Sequence, residues 1–225
     1  MKTHKIVAII PARGGSKRLK NKNLRLLNGV PLLLHSINYA KDNMDVLDAI
    51  YVSTNDSEIA SLATEAGVEV IHRPENLSND DSTTVSALKH AIQSVNETFD
   101  LVVLLQPTNP LRPKKLLREA YRTFLNQNCN SLMTVSRNHQ KFGKISDGKF
   151  TPFNYNMGQR SQDLEPLYFE NGLLYITKAE AILKDKILAK NNSPLIVNHA
   201  FSNVDIDTEE DLKYAEFVIN NYVND

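Results

Sequence analysis

Residues 101–105 read Leu-Val-Val-Leu-Leu, a strand with no polar face. Such a strand has to be covered on both sides, which demands a sheet sandwiched between helices. The rest of the first 135 residues fits that demand. Strand-like runs at 5–10, 49–53, 68–71 and 131–135 alternate with helical periodicity at 31–41, 57–66, 83–95 and 113–127. Leu33, Ile37 and Ala40 share one side of the first helix, and Asp56 and Gly67 suit the start and stop of the second. This alternation specifies an α/β fold with a doubly wound, mostly parallel sheet. It resumes late in the chain as strands at 173–177 and 195–197 and helices at 178–184 and 208–220.

Between the two patterned regions, residues 137–171 are rich in Lys, Gly, Asn, Gln and Pro, with isolated aromatics and no helical period. A long irregular stretch inside a compact domain usually works as a lid, a binding loop or an arm exchanged between subunits. The expectation is one domain across residues 1–225 with 137–171 as an inserted arm. The 26 acidic and 26 basic residues cancel, which argues against a general nucleic-acid binder. A single cysteine, Cys129, excludes an internal disulfide and a cysteine-ligated zinc site, and the six histidines show no ligand spacing. No apolar run approaches the roughly 18 residues of a membrane span, and the polar, quickly strand-like N-terminus does not read as a signal peptide. The protein is expected in the cytoplasm, away from membranes.

Chemistry concentrates where strands end. The run at 5–10 passes directly into Pro11-Ala12-Arg13-Gly14-Gly15-Ser16-Lys17-Arg18-Leu19-Lys20-Asn21-Lys22-Asn23, two adjacent glycines among five cations. Glycines let backbone N–H groups turn inward and the cations supply countercharge, so this loop can cradle a polyphosphate. Neither G-x-x-x-x-G-K-[ST] nor G-x-G-x-x-G fits it, and a solvated basic turn has the same composition. Its place beyond the first strand is where open α/β sheets bind ligands. Alternation points Asp205 and Asp207 to one side of an extended segment, a hard-oxygen pair suited to magnesium. Asp207 or Thr208 also suits the cap of the last helix, with Glu209, Glu210 and Asp211 in its first turn. The proline-stiffened segment 106–113 offers Gln106 and Arg112 as polar contacts. Asp80-Asp81-Ser82-Thr83-Thr84 reads as capping chemistry that also leaves helix N–H groups free for a base or phosphate.

These motifs, taken in order, resemble those of the acylneuraminate cytidylyltransferases, the synthetases of CMP-activated sialic and related nonulosonic acids. The resemblance rests on I-P-A-R-G-G-S-K with K-N-L at Lys22, V-S-T-N-D near Ser53, R-P-E at Arg73, L-L-Q-P-T-N-P-L-R through Arg112, E-N-G-L-L-Y from Glu170 to Tyr175, and D-I-D-T-E-E-D-L from Asp205. It covers essentially the whole chain. It implies a Rossmann-like sheet of the nucleotide-diphospho-sugar transferase type and a reaction of CTP with a 2-keto-3-deoxy sugar acid that yields the CMP-sugar and pyrophosphate. Arg13 and Lys22 match the triphosphate ligands, with Ala12, Gly14, Ser16, Lys17 and Asn23 in the same loop. Arg73 and Thr84 match contacts to the cytidine nucleotide, and Gln106, Asn171 and Tyr175 match residues on the sugar side. Lys144, with Lys141 as its rival, and Arg160 match cations that family dimers supply from the neighbouring arm, and Asp205 and Asp207 match paired ligands for Mg2+ or Mn2+. A homodimer with sites completed across the interface follows from the same resemblance. On this reading Arg13, Lys22 and Asp207 carry the reaction, and no general base is evident. The chain departs from the family at Arg18-Leu19-Lys20-Asn21, where many members have a proline and a glycine, and at Asn109, where serine is usual. It also lacks the paired phenylalanines that N-acetylneuraminate-specific members can carry near residues 187–193, which leaves the exact sugar open. Other readings of the same residues are a nucleotidyltransferase for the eight-carbon acid Kdo or another sugar such as a hexose phosphate, a non-catalytic nucleotide-binding or regulatory module and, disfavoured by the missing dinucleotide glycine pattern, a nucleotide-fold oxidoreductase.

Overall fold

The structure, a computed structural model, describes residues 4–222. In chain order the strands are β1 (Ile6–Pro11), β2 (Leu26–Leu27), β3 (Val30–Pro31), β4 (Ala49–Thr54), β5 (Glu69–His72), β6 (Leu101–Leu104), β7 (Ser131–Asn138), β8 (Gly143–Ser146), β9 (Lys149–Pro152), β10 (Leu167–Lys178) and β11 (Asn192–Ile196). The helices are α1 (Leu32–Lys41), α2 (Ser57–Glu65), α3 (Thr84–Ser94), α4 (Leu116–Asn126), α5 (Ala179–Leu183) and α6 (Glu209–Asn221). Seven strands form the central sheet in the order β11-β7-β10-β6-β1-β4-β5. The pairs β1–β4, β4–β5, β1–β6 and β7–β11 are parallel, while β10 runs antiparallel to both β6 and β7.

The apolar runs bury as their periodicity demands. Ile6, Ala8 and Ile10 face one helical layer, with Leu33 and Ile37 of α1 and Leu117 and Phe124 of α4. Val7 and Ile9 face the other, with Leu88 and Ala91 of α3 and Ile182 of α5. Asp56 caps α2 by accepting from the N–H groups of Glu58 (2.9 Å) and Ile59 (3.0 Å). Thr83 caps α3 through the N–H of Ser86. For α6 the cap is Thr208, in a reciprocal capping box with Asp211. Asp207 is therefore free of capping duty.

After β1 the chain builds outward through β4 and β5, then returns to place β6 on the other side of β1. The loops that follow β1 and β6 thus meet at the point where strand order reverses, beyond the carboxyl ends of the strands, where this architecture opens a crevice.

The inserted arm is more regular than its composition implies. The strand expected at 131–135 continues to Asn138, and the one expected from 173 begins at Leu167. Between them β8 and β9 pair as an antiparallel hairpin closed by Asp147-Gly148, both with positive φ (51° and 72°). Low hydrophobicity hid these strands because they pair without entering the core: Ile145, Phe150 and Phe153 are exposed.

Candidate functional site

The crevice holds two joined compartments. The first, about 450 Å³, is lined by Arg13, Ser16, Lys17, Arg18, Lys22 and Asn23 of the first loop, by Arg73, and by Asp80, Thr83 and Thr84 at the start of α3. Five cations face two carboxylates, Asp80 and Asp207. The loop is held from both sides. Asn55 Oδ1 accepts the Gly14 N–H at 3.0 Å while Asn55 donates to Glu75 at 3.1 Å. The Asn23 side chain donates to the Arg13 carbonyl at 2.9 Å. A Cβ on Gly14 would lie 2.7 Å from Asp56 Oδ2, so the loop can press against the α2 cap only with glycine here. Ala12 is fully buried and its N–H bonds Ser53 O, so Ala12 and Gly14 shape the loop from behind the cavity wall.

Arg73 is the most telling member of this compartment. It is 7% exposed, and its Nε and Nη2 are buried with no hydrogen-bond partner among the described residues. Burial, with a lesser contribution from Arg13, lowers its pKa. Buried donors of this kind call for an acceptor from outside the chain.

The second compartment, about 250 Å³, is lined by Gln106, Thr108, Asn109, Glu170, Asn171, Gly172, Tyr175, Asp205 and Asp207. It contains three carboxylates and neither lysine nor arginine. Ile206 is buried in the core beneath α6, which leaves Asp205 and Asp207 on the cavity side of the extended segment, as alternation requires. Partial desolvation, and then the charge of Asp207, raise the Asp205 carboxyl above its ordinary pKa. Asp207 accepts from Lys22 Nζ at 2.7 Å and pairs with Arg18 at 3.0 Å. Tyr175 donates its hydroxyl to Glu170, and desolvation together with that bond raises the phenol pKa. The Asn171 side chain is engaged behind the wall, with Thr134 Oγ1 (2.6 Å) and Ser136 Oγ (3.0 Å). It therefore braces the compartment rather than presenting a free amide. An apolar recess formed by Leu104, Met133, Ile187 and Leu188 opens beside Gln106, Glu170 and Tyr175.

One expectation needs adjustment. Arg112 lines neither compartment: it is 2% exposed and donates to Leu173 O (2.6 Å), Gln106 O (2.8 Å) and Ser36 Oγ (3.1 Å). Burial brings its pKa down to about 10, and its work is to lock the loop after β6 to β10. The arm cations lie outside both compartments of their own chain. Lys144 stands 5.4 Å from the centroid of Phe153 and Lys141 stands 5.3 Å from that of Tyr155. Arg160 pairs with Asp163 at 2.8 Å. Finally, sequence reading passed over Asp80, Thr108 and Glu170 as cavity residues, although each is adjacent to, or within, a motif that it quoted.

A cytidylyltransferase family model matches residues 7–222. The pseudaminic acid cytidylyltransferase of Campylobacter jejuni (serotype O:23/36) is 33% identical over 95% of this chain and 96% of its own length. The CMP-N,N'-diacetyllegionaminic acid synthase of Legionella pneumophila is 35% identical over 94% of this chain and 95% of its own length. An N-acylneuraminate cytidylyltransferase of Streptococcus agalactiae is 31% identical over 92% of this chain, which spans 51% of that relative. In three dimensions the fold is similar to that of CMP:2-keto-3-deoxy-manno-octonic acid synthetase complexed with CTP, with a TM-score of 0.70 at 15% identity over 96% of this chain and 98% of that one. The family match runs from the first strand to the end of the last helix, and identities near one third extend over almost all of two relatives: this chain belongs to the cytidylyltransferase family.

Proposed function

We propose that the protein activates a nonulosonic acid with CTP, releasing pyrophosphate and the CMP-sugar. One observation carries this reading: Gln106, Thr108 and Asp207 line both compartments, so a cationic nucleotide cavity meets a carboxylate-lined sugar cavity at Asp207. In the reaction, the anomeric hydroxyl of the sugar attacks the α-phosphorus and the bond to pyrophosphate breaks in line. That chemistry depends on positioning and charge neutralisation more than on covalent catalysis. Arg13 and Lys22 neutralise the charge that grows on the leaving pyrophosphate. Arg73 and the N-terminus of α3 at Thr84 receive the nucleoside end. Gln106 and Tyr175 orient the sugar.

Asp205 and Asp207 fit a magnesium or manganese ion. They are hard-oxygen donors close enough for one to raise the pKa of the other, and two carboxylates plus substrate phosphates make a usual magnesium shell. Among the described residues no third His, Cys, Asp or Glu joins them, so substrate oxygens have to complete it. When bound, the ion polarises the α-phosphate. Lys22 and Arg18 pair with Asp207, and an ion on that carboxylate would leave both cations available to the triphosphate.

A sugar acid brings a carboxylate into a compartment that has no cation of its own. We assign that countercharge to Arg160 and Lys144 from the arm of a second copy, in a two-fold homodimer. The exposed Phe142, Ile145, Phe150, Phe153 and Met157 of the arm are an apolar surface consistent with that pairing. No helix among the described residues is long and apolar enough to cross a membrane, and the reading places the enzyme in the cytoplasm, where it supplies activated sugars for surface glycans. A pyrophosphate-release assay with CTP and N-acetylneuraminate, Kdn, legionaminate, pseudaminate and Kdo tests the proposal. Turnover of a nine-carbon acid is expected. Turnover of Kdo alone, or CTP binding without release, overturns it.

A further inference from the structure

The flanking cations of the first loop are divided between two acids on opposite walls of the cavity. Asp207 holds Lys22 and Arg18, and the metal would take it over when the reactants assemble. Asp80, in the segment between β5 and α3, holds Arg13 Nη2 at 2.9 Å and also pairs with Lys17. Nothing in the proposed reaction takes Asp80 over in the same way. Arg13 is further fixed by the Ser78 carbonyl at 3.3 Å, so its guanidinium stays beside Asp80. The two cations hold the Asp80 carboxyl below its ordinary pKa.

A carboxylate that occupies the cations meant for a phosphate competes with that phosphate. Displacing Asp80 costs substrate and product alike, but only the substrate has a second anchor to set against that cost. CTP is anchored at a second place, through its nucleoside, so its triphosphate can displace Asp80 while the rest of the molecule is held. Pyrophosphate has lost that tether and meets Asp80 at the same two cations alone. We propose that Asp80 is a positioning residue that keeps Arg13 and Lys17 aimed into the empty cavity and, after transfer, reclaims them and so speeds the departure of pyrophosphate. This inference rests on the cytidylyl-transfer reading above.

The test is Asp80→Asn in the full chain, with Asp81→Asn as a control because Asp81 is exposed and does not line the cavity. Calorimetry measures the binding of inorganic pyrophosphate and of CTP, and steady-state assays measure inhibition by pyrophosphate. Exposed pairs contribute up to about 1 kcal/mol, so Asp80→Asn should bind pyrophosphate roughly fivefold more tightly and show correspondingly stronger product inhibition. CTP affinity should rise by a similar factor, because its triphosphate displaces the same pair, and that gain also reports an intact loop. Asp81→Asn should match the unmodified protein. Unchanged or weaker pyrophosphate binding in Asp80→Asn, or unchanged inhibition by pyrophosphate, overturns the role assigned to Asp80 alone. Unmodified protein that binds neither CTP nor pyrophosphate overturns the cytidylyl-transfer reading, and this inference with it.

Discussion

The nucleotide compartment carries five cations, four from the loop after β1 and Arg73 from the end of β5, all of one chain. The sugar compartment a few residues away carries three carboxylates and no cation. A triphosphate can be received by this chain as it stands, whereas a sugar acid and a metal site have opposite electrostatic needs. Asp207 is offset by Lys22 and Arg18 from the neighbouring compartment, but no cation lines the second compartment itself. On the proposed reading, the first compartment is self-sufficient and the second draws charge from a partner.

The hardest test of that contrast is at the junction. Asp207→Asn should lower turnover by about two orders of magnitude or more, the scale of a lost electrostatic element at a reacting centre. Folding should survive, because Thr208 caps α6 without it. Near-normal turnover at saturating magnesium would reduce Asp207 to an ion-pair partner of Lys22. A smaller effect, on the order of tenfold, is expected from Arg13→Ala or Lys22→Ala, the worth of one charge-assisted bond to phosphate. It should fall on kcat as well as on KM for CTP and leave KM for the sugar unchanged. Loss of sugar affinity alone would mean that the two compartments have been read in reverse. The smallest signal comes from mixing Asp207→Asn with Arg160→Ala after dissociation and reassociation. If Arg160 acts in trans, half of the reassorted dimers hold one site without either lesion, and activity returns to about a quarter of the unmodified level. No recovery despite measured subunit exchange, or a monomer at working concentration, would remove the dependence of the sugar side on a partner.

The sheet and its helices were legible because burial on two faces leaves few arrangements for runs such as 101–105. The cation loop and the Asp205/Asp207 pair were legible for a similar reason, since their chemistry follows from position at a strand end and from alternation. What escaped depends on tertiary neighbours. Arg112 looked like a pocket contact, yet its three acceptors lie on Leu173, Gln106 and Ser36, and no local pattern links those positions. Asp80 looked like capping chemistry, whereas the cap is Thr83 and Asp80 reaches across to the first loop. The arm hairpin did leave a local mark. Asp147-Gly148, flanked by Ile145 and Phe150, is the residue pair that a tight two-residue hairpin turn requires. It was obscured by the polar composition around it.

The long strand β10 pairs with β7 from Leu167 to Glu170 and again from Tyr175 to Thr177, and the register shifts between the two stretches. The residues released from the ladder, together with those at its edges, supply Glu170, Asn171, Gly172 and Tyr175 to the sugar compartment. A fully paired strand transmits any change along its length, since a slip of one residue exchanges its faces. A strand whose ladder is already interrupted isolates a change to the gap. Natural variation can therefore rewrite the sugar wall while β1, β4 and the cation loop stay untouched. Relatives named for pseudaminic, legionaminic and N-acylneuraminic acids are each about one third identical to this chain.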